Sequence, residues 1–225
     1  MKSIIVRNIA RAESAAVESL KGFGTATLHE AMGRTGLMNP YLRPIYDTVK
    51  ACGTAITVSC HPGDNLMIHA AIEVCQPGDI LVVTVTSEST DGMFGELLGV
   101  SARAHGVQGL IIDAGVRDTS ELTEMKFPVW SKAISAKGTV KATAGAVNVP
   151  VVCGGAIVNP GDVVVGDRDG VVVVPKADAA KVAKAAQERT ERENLTRERL
   201  AKGELGLDIY SLREKLRLLG VTYVD

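Results

Sequence analysis

Aromatic side chains are scarce in this 225-residue chain, which has one Trp, four Tyr and three Phe. A core so short of rings has to be filled by Val, Ile, Leu and Ala. A single-strand nucleic-acid surface made of stacking platforms is excluded on the same ground. An excess of one charge sign is also missing. Twenty-five Lys and Arg stand against 26 Asp and Glu, a net charge of -1 with no block of like charge. The sequence therefore shows no basic face for a phosphate backbone and predicts no nucleic-acid partner. No apolar run approaches the ~20 residues of a membrane-spanning helix, and Met1-Lys2-Ser3 opens no signal-peptide core. A cytoplasmic protein without a membrane partner is expected. The four cysteines (Cys52, Cys60, Cys75, Cys153) form no CxxC pair and read as buried free thiols of a reducing compartment. The four histidines (His29, His61, His69, His105) form no HxxxH or HExxH pattern, which argues against a zinc site.

Glycine, by contrast, is plentiful at 23 residues, above a usual share of ~7%. That excess, with a chain long enough to bury roughly 70% of its unfolded surface, points to a packed domain rich in tight turns. Periodicity predicts helices over 11–22, 25–32, 64–74, 96–105 and 119–126. Strands are expected over 53–59, 80–85, 109–113 and 128–134, and in the valine-rich stretch 147–174. Within that stretch Asp167-Arg168-Asp169-Gly170 reads as a hairpin turn. Asp64 stands where it could cap the helix that follows it. The tripeptide Pro-Gly-Asp occurs at 62–64, 77–79 and 160–162 as a repeated turn device, since Pro fixes φ and Gly permits φ > 0. A charged helix over 176–202 and a shorter amphipathic one over 208–218 close the chain. The expected architecture is an α/β layered, α/β/α sandwich-type single domain, with a catalytic body over 1–175. A helical arm over 176–225 packs on that body or on a neighbouring subunit.

Chemistry concentrates in Gly95-Glu96-Leu97-Leu98 and Asp113-Ala114-Gly115-Val116-Arg117-Asp118. Gly95 opens a helix, so the N–H groups of Leu97 and Leu98 lie in a first turn that can bind a carboxylate. Arg117 and Asp118 follow a buried strand, where ligands of open α/β sheets gather. Carboxylates with few sulfur or imidazole neighbours suit a hard ion such as Mg²⁺ or Mn²⁺, and Arg117 could face a substrate carboxylate or an enolate oxygen. Local alternatives exist for each. Asp118 with Glu121 fits a capping box, Glu96 suits any first helical turn, and Arg117 could pair with Asp118 or Asp113.

Glu96, twenty intervening residues, then Arg117-Asp118 resembles the D-x20-R-D signature of class II pyruvate aldolases. These act on 4-hydroxy-4-methyl-2-oxoglutarate and 4-carboxy-4-hydroxy-2-oxoadipate, within a wider family that includes the regulator of ribonuclease E activity A. The likeness extends through ATLHEAMGRTGL (26–37), PGDNLMIHAAIE (62–73), GLIIDAGVRD (109–118), FPVWSKAISAKGTVK (127–141), PGDVVVGDRDGVVVVP (160–175) and GELGLDIY (203–210). It implies a lyase of aromatic-acid degradation whose divalent ion is held by Asp118 and, through water, by Glu96. Arg117 and the ion would stabilise a pyruvate enolate, while Gly95 and the Leu97 and Leu98 amides hold the carboxylate. This chain departs from the family in carrying Glu96 where Asp is common. The resemblance further implies that Asn65 meets the distal carboxylate and that Lys141 and His29-Glu30 shape the pocket. It places Glu193 in a neighbouring subunit's site within a homotrimer or homohexamer, whereas Glu188/Arg192 and Glu193/Arg197 read locally as i,i+4 pairs. Other functions weighed are oxaloacetate decarboxylation through the same enolate, a Schiff-base mechanism at Lys141, and a non-catalytic protein that regulates a ribonuclease.

Overall fold

The computed structural model describes residues 3–225. In chain order its elements are β1 (Ile4–Ile5), α1 (Ser14–Leu20), α2 (Thr25–Ala31), β2 (Arg43–Pro44), β3 (Ala51–Cys60), α3 (Leu66–Val74) and β4 (Asp79–Val85). They continue with β5 (Gly92–Phe94), α4 (Glu96–Ala104), β6 (Gly109–Val116), α5 (Thr119–Glu124), β7 (Val129–Ile134), β8 (Ala146–Val147), β9 (Val151–Cys153) and β10 (Ala156–Val158). The chain ends with β11 (Val163–Gly166), β12 (Val171–Val174), α6 (Ala179–Ala201), α7 (Gly206–Ile209) and α8 (Leu212–Leu218).

The sheet is organised on β3, β4, β6 and β7, which lie side by side and parallel. Strand alternation then sorts the side chains into layers. Val58, Leu81, Val83, Leu110 and Ile112 pack on one face against Ile68, Ile72, Leu98 and Leu122 of α3, α4 and α5. Ile80, Val82, Ile111 and Trp130 point the other way, toward Val151, Val158, Val164, Val171 and Val173. The β11–β12 hairpin pairs antiparallel with β3 and folds over this second face. Its outer valines, Val163, Val165, Val172 and Val174, meet Leu20, Leu28, Val182 and Ala183 of α1, α2 and α6. The α/β architecture with helices outside is the expected one, with a second β layer added. Strands apolar on both faces need cover on both, and β11 and β12 obtain it from a sheet on one side and helices on the other.

Packing of α6 stops at Ala186, and no later residue is buried. The helix expected over 208–218 is two, α7 and α8, because Ser211 adopts a left-handed φ of 54° and breaks the run. Leu195, Leu200, Leu205, Tyr210, Leu218 and Leu219 stay exposed along this arm.

The Pro-Gly-Asp turns behave as devices, each with its glycine at positive φ. Asp79 and Asp162 accept the N–H three residues back, from Gln76 and Asn159. Asp79 is 1% exposed and also takes both Arg11 Nε (3.0 Å) and Nη2 (2.8 Å) and the Thr54 hydroxyl. Asp79→Ala strips the acceptor from all of these, so urea titration should show a loss of about 3 kcal/mol; a loss below about 1 kcal/mol would contradict the staple. Burial pushes the Cys52, Cys60 and Cys75 thiols up to about 12 and raises that of Cys153 as well. Iodoacetamide at pH 8 should therefore leave the native protein unmodified and alkylate all four cysteines once it is unfolded.

Candidate functional site

The strand β6 runs to Val116, three residues past its expected end. A register shift between Ile112 and Gly115 lets it pair with β7, and β5 joins its far end. Asp118 follows with φ 53° and ψ 43°. A left-handed non-glycine residue costs on the order of 1–3 kcal/mol, although Asp tolerates it better than most. The capping box with Glu121 does not form, since Asp118 makes no side-chain bond to its own helix. Its Oδ2 instead accepts the Glu96 N–H at 3.0 Å, so the carboxylate closes the start of α4 rather than that of α5.

Gly95 makes this approach possible, because a Cβ there would collide with Asp118 Oδ2 and crowd Arg117. The Arg117 N–H donates to the Phe94 carbonyl at 2.9 Å, and its Nε lies 3.5 Å from Asp118 Oδ2. Both side chains are about 40% exposed and line a cavity of about 300 Å³ with Ile134, Ser135 and Ala136. The first turn of α4 leaves the Leu97 and Leu98 N–H groups without intrahelical acceptors. Leu97 itself is exposed and Leu98 is buried in the core. Strand end, helix start and guanidinium together form a small site suited to an oxyanion and a cation. Larger concavities of about 530 and 840 Å³ lie elsewhere. The first gathers Lys21, Arg103 and Lys126 near the C-termini of α1, α4 and α5, where cations complement helix dipoles.

The remaining predicted residues are spread more widely. Glu96 stands in the first turn of α4 with its carboxylate unbonded among the described residues. Asn65 occupies the N-cap position of α3, displacing Asp64 from it by one residue, although Asp64 still accepts the Leu66 N–H. The Asn65 Nδ2 donates to the Met93 carbonyl at 3.0 Å, and its buried Oδ1 has no partner. Lys141 is exposed near His69, whose pKa is lowered by burial and then by the Lys141 charge. The expected Glu188/Arg192 and Glu193/Arg197 pairs are not formed. Glu193 pairs backwards with Arg189 at 2.7 Å, and Arg189 also approaches Glu30 at 3.6 Å, tying α6 to α2. Glu193 is therefore not brought to Arg117 within one chain. Asp113 does not pair with Arg117 either; it accepts from the Tyr41 hydroxyl and the Gly154 N–H. Sequence reasoning missed the Asp91–Lys137 ion pair at 3.0 Å, which pins the segment walling the cavity. It joins a strand-start acid to a loop lysine 46 positions on, a pairing that no local spacing signals.

A sequence profile described as RraA-like, Aldolase/RraA, matches residues 25–173. The chain belongs to the Aldolase/RraA family. Within this family it is 28% identical over 181 residues to a Halalkalibacterium halodurans protein provisionally named a 4-hydroxy-4-methyl-2-oxoglutarate aldolase, covering 80% of this chain and 86% of the relative. A Burkholderia multivorans protein with the same provisional name is 33% identical over 143 residues, covering 64% and 87%. The solved structure of Streptomyces coelicolor RraAS2, described as an unusual member of the RNase ES inhibitor RraA family, superposes with a TM-score of 0.77. It is 27% identical and covers 84% of this chain and 99% of its own.

The Asp118–Glu96 bond is testable without an assay. Gly95→Ala should push the carboxylate away, raise hydrogen exchange at the Glu96 amide at least about tenfold, and lower the thermal midpoint by about 2–4 °C, as expected for losing a cap worth ~1 kcal/mol. An unchanged Glu96 amide would show that Asp118 does not hold this helix.

Proposed function

We propose that this protein is a divalent-metal-dependent pyruvate aldolase cleaving 4-hydroxy-4-methyl-2-oxoglutarate, 4-carboxy-4-hydroxy-2-oxoadipate, or both. The supporting observation is Asp118, held in a left-handed conformation with its carboxylate turned onto the start of α4 beside Arg117. A residue needed only as a cap would serve its own helix at lower backbone strain.

The donor set can be tested against the proposed ion. Among the described residues of one chain no three His, Cys, Asp or Glu gather as a metal cluster. Mg²⁺ and Mn²⁺ do not need one; one or two carboxylates, waters and substrate oxygens suffice. With Asp118 Oδ2 engaged by the Glu96 amide, Asp118 would be the residue to hold the ion, and Glu96 in the first turn of α4 would assist. When bound, the ion supplies Lewis-acid polarisation of the 2-oxo group, worth several kcal/mol.

The chain's own groups do the rest. The Leu97 and Leu98 N–H groups receive the carboxylate next to the 2-oxo group. Transfer of the C4 hydroxyl proton to a water or hydroxide in the site forms the new carbonyl as the C3–C4 bond breaks, and the electron pair passes to the pyruvate enolate. Arg117 stabilises that enolate oxygen. Protonation at C3 then releases pyruvate, leaving pyruvate or oxaloacetate as the other product according to the C4 substituent. Oxaloacetate decarboxylation passes through the same enolate and should be a second activity of this site. Assembly of three or six copies would add Glu193 of the partner subunit.

A coupled assay should show pyruvate release that is abolished by chelator and restored by Mg²⁺ or Mn²⁺. Asp118→Ala should lower kcat/KM by at least about 10³-fold, in line with losing the ion's contribution. Undiminished turnover in that variant would sink the mechanism. The likeness to the Streptomyces member of the RNase ES inhibitor family favours one rival, a metal-free ribonuclease-binding protein. Inert pyruvate assays combined with capture of a ribonuclease would decide for it.

A further inference from the structure

The Arg117 guanidinium has little hydrogen bonding to hold it. Among the described residues its one ionic contact is Nε to Asp118 Oδ2 at 3.5 Å, and the side chain is 44% exposed. A long arginine loses much rotamer freedom when it is ordered, yet a donor serves a developing oxyanion only when it is already in place. Shape supplies the order here. A Cβ added at Gly92 would lie 3.1 Å from Arg117 Cβ, one at Gly95 3.0 Å from Cγ, and one at Gly138 3.6 Å from Nη1. None of these three glycines has a positive φ, so space rather than backbone conformation calls for them. The side chain thus runs along Gly92 and Gly95, with Gly138 against its tip.

Gly138 lies in the stretch 135–145 between β7 and β8, which belongs to no strand or helix. Beside Arg117 that stretch is tied back to β5 and β6. The Ser135 N–H donates to the Val116 carbonyl and the Gly92 N–H to the Lys137 carbonyl, each at 2.9 Å. Lys137 Nζ then reaches Asp91 Oδ1 at 3.0 Å. The Asp91 side chain is 18% exposed and that of Lys137 71%. Gly63 backs the other carboxylate oxygen, since a Cβ there would stand 2.8 Å from Asp91 Oδ2. The carboxylate is a fixed post and the lysine a hook on it. An ion pair with so exposed a partner adds little to stability. What it fixes is the residue before Gly138.

We infer that Asp91 and Lys137 are positioning residues, whose ion pair closes the 135–138 wall on Arg117 and sets its guanidinium for the enolate oxygen. This rests on the aldolase reading above. Steady-state kinetics with 4-hydroxy-4-methyl-2-oxoglutarate on Asp91→Asn, Lys137→Met and Lys137→Arg test it. Either of the first two should lower kcat about tenfold with KM within about threefold, because the enolate charge exists only beyond the ground state. Lys137→Arg keeps the charge on the same carboxylate and should stay within about threefold of wild type. In an Arg117→Lys background Asp91→Asn should cost less than about twofold more, since both act through one guanidinium. Hydrogen exchange at the Gly92 amide should quicken at least about fivefold in Asp91→Asn while the Glu96 amide is unchanged. Lys137→Met, at an exposed side chain, serves if Asp91→Asn does not fold. An unmoved kcat, a loss confined to KM, no rescue by Lys137→Arg, full additivity with Arg117→Lys, or an unchanged Gly92 amide overturns the positioning role alone. No pyruvate release from the wild-type protein overturns the aldolase reading itself.

Discussion

The bond from the Glu96 amide to Asp118 is the contact on which the site depends. A helix start leaves donors without partners, and a carboxylate there is favoured both by hydrogen bonding and by the dipole. Asp118 supplies that carboxylate from the end of β6, 22 residues further along. Three features follow from it. Asp118 must leave the right-handed region, position 95 must lack a side chain, and Arg117 is carried to the same edge by its own bond to Phe94. Had Asp118 capped α5 instead, its carboxylate would not join the start of α4 to the edge that carries Arg117.

The layers explain why this edge can hold a strained residue. β6 lies between β4 and β7 in the row of four parallel strands, covered by helices on one face and by the β9–β12 region on the other. Its register shift lets it run on to Val116 while β5 and β7 still pair with it. The result is a rigid platform beyond strand C-terminal ends, where open α/β folds place their ligands. The loop opposite is held from both ends, by Asp91 on Lys137 and by Asp64 on Ala142 and Thr143.

Several elements were legible because their signals are local. Strand alternation, the glycines of the Pro-Gly-Asp turns and the turn at 167–170 each follow from backbone sterics within a few residues, and each stands where expected. Local signals failed where two nearby partners were equally suitable. Asp118 and Glu121 have capping-box spacing, yet a donor from another helix took the carboxylate. Glu193 had an arginine four residues away on both sides, and Arg189 was selected because it also meets Glu30 on α2. The break at Ser211 had no equivalent signal, since serine does not mark a left-handed residue as glycine does.

Residue types and their spacing were enough to determine the class of fold and to single out the segments around Glu96 and Arg117-Asp118 as the place to look. Those properties depend on composition and on periods of two and 3.6 residues, which a chain carries before it folds. Only the tertiary structure decided which amide the Asp118 carboxylate takes, that β11 and β12 form a second β layer, and that Asp64 reaches the segment around Lys141. Each of those outcomes is a choice among donors or surfaces of similar local quality. Packing settles such a choice by bringing one of them within hydrogen-bonding distance.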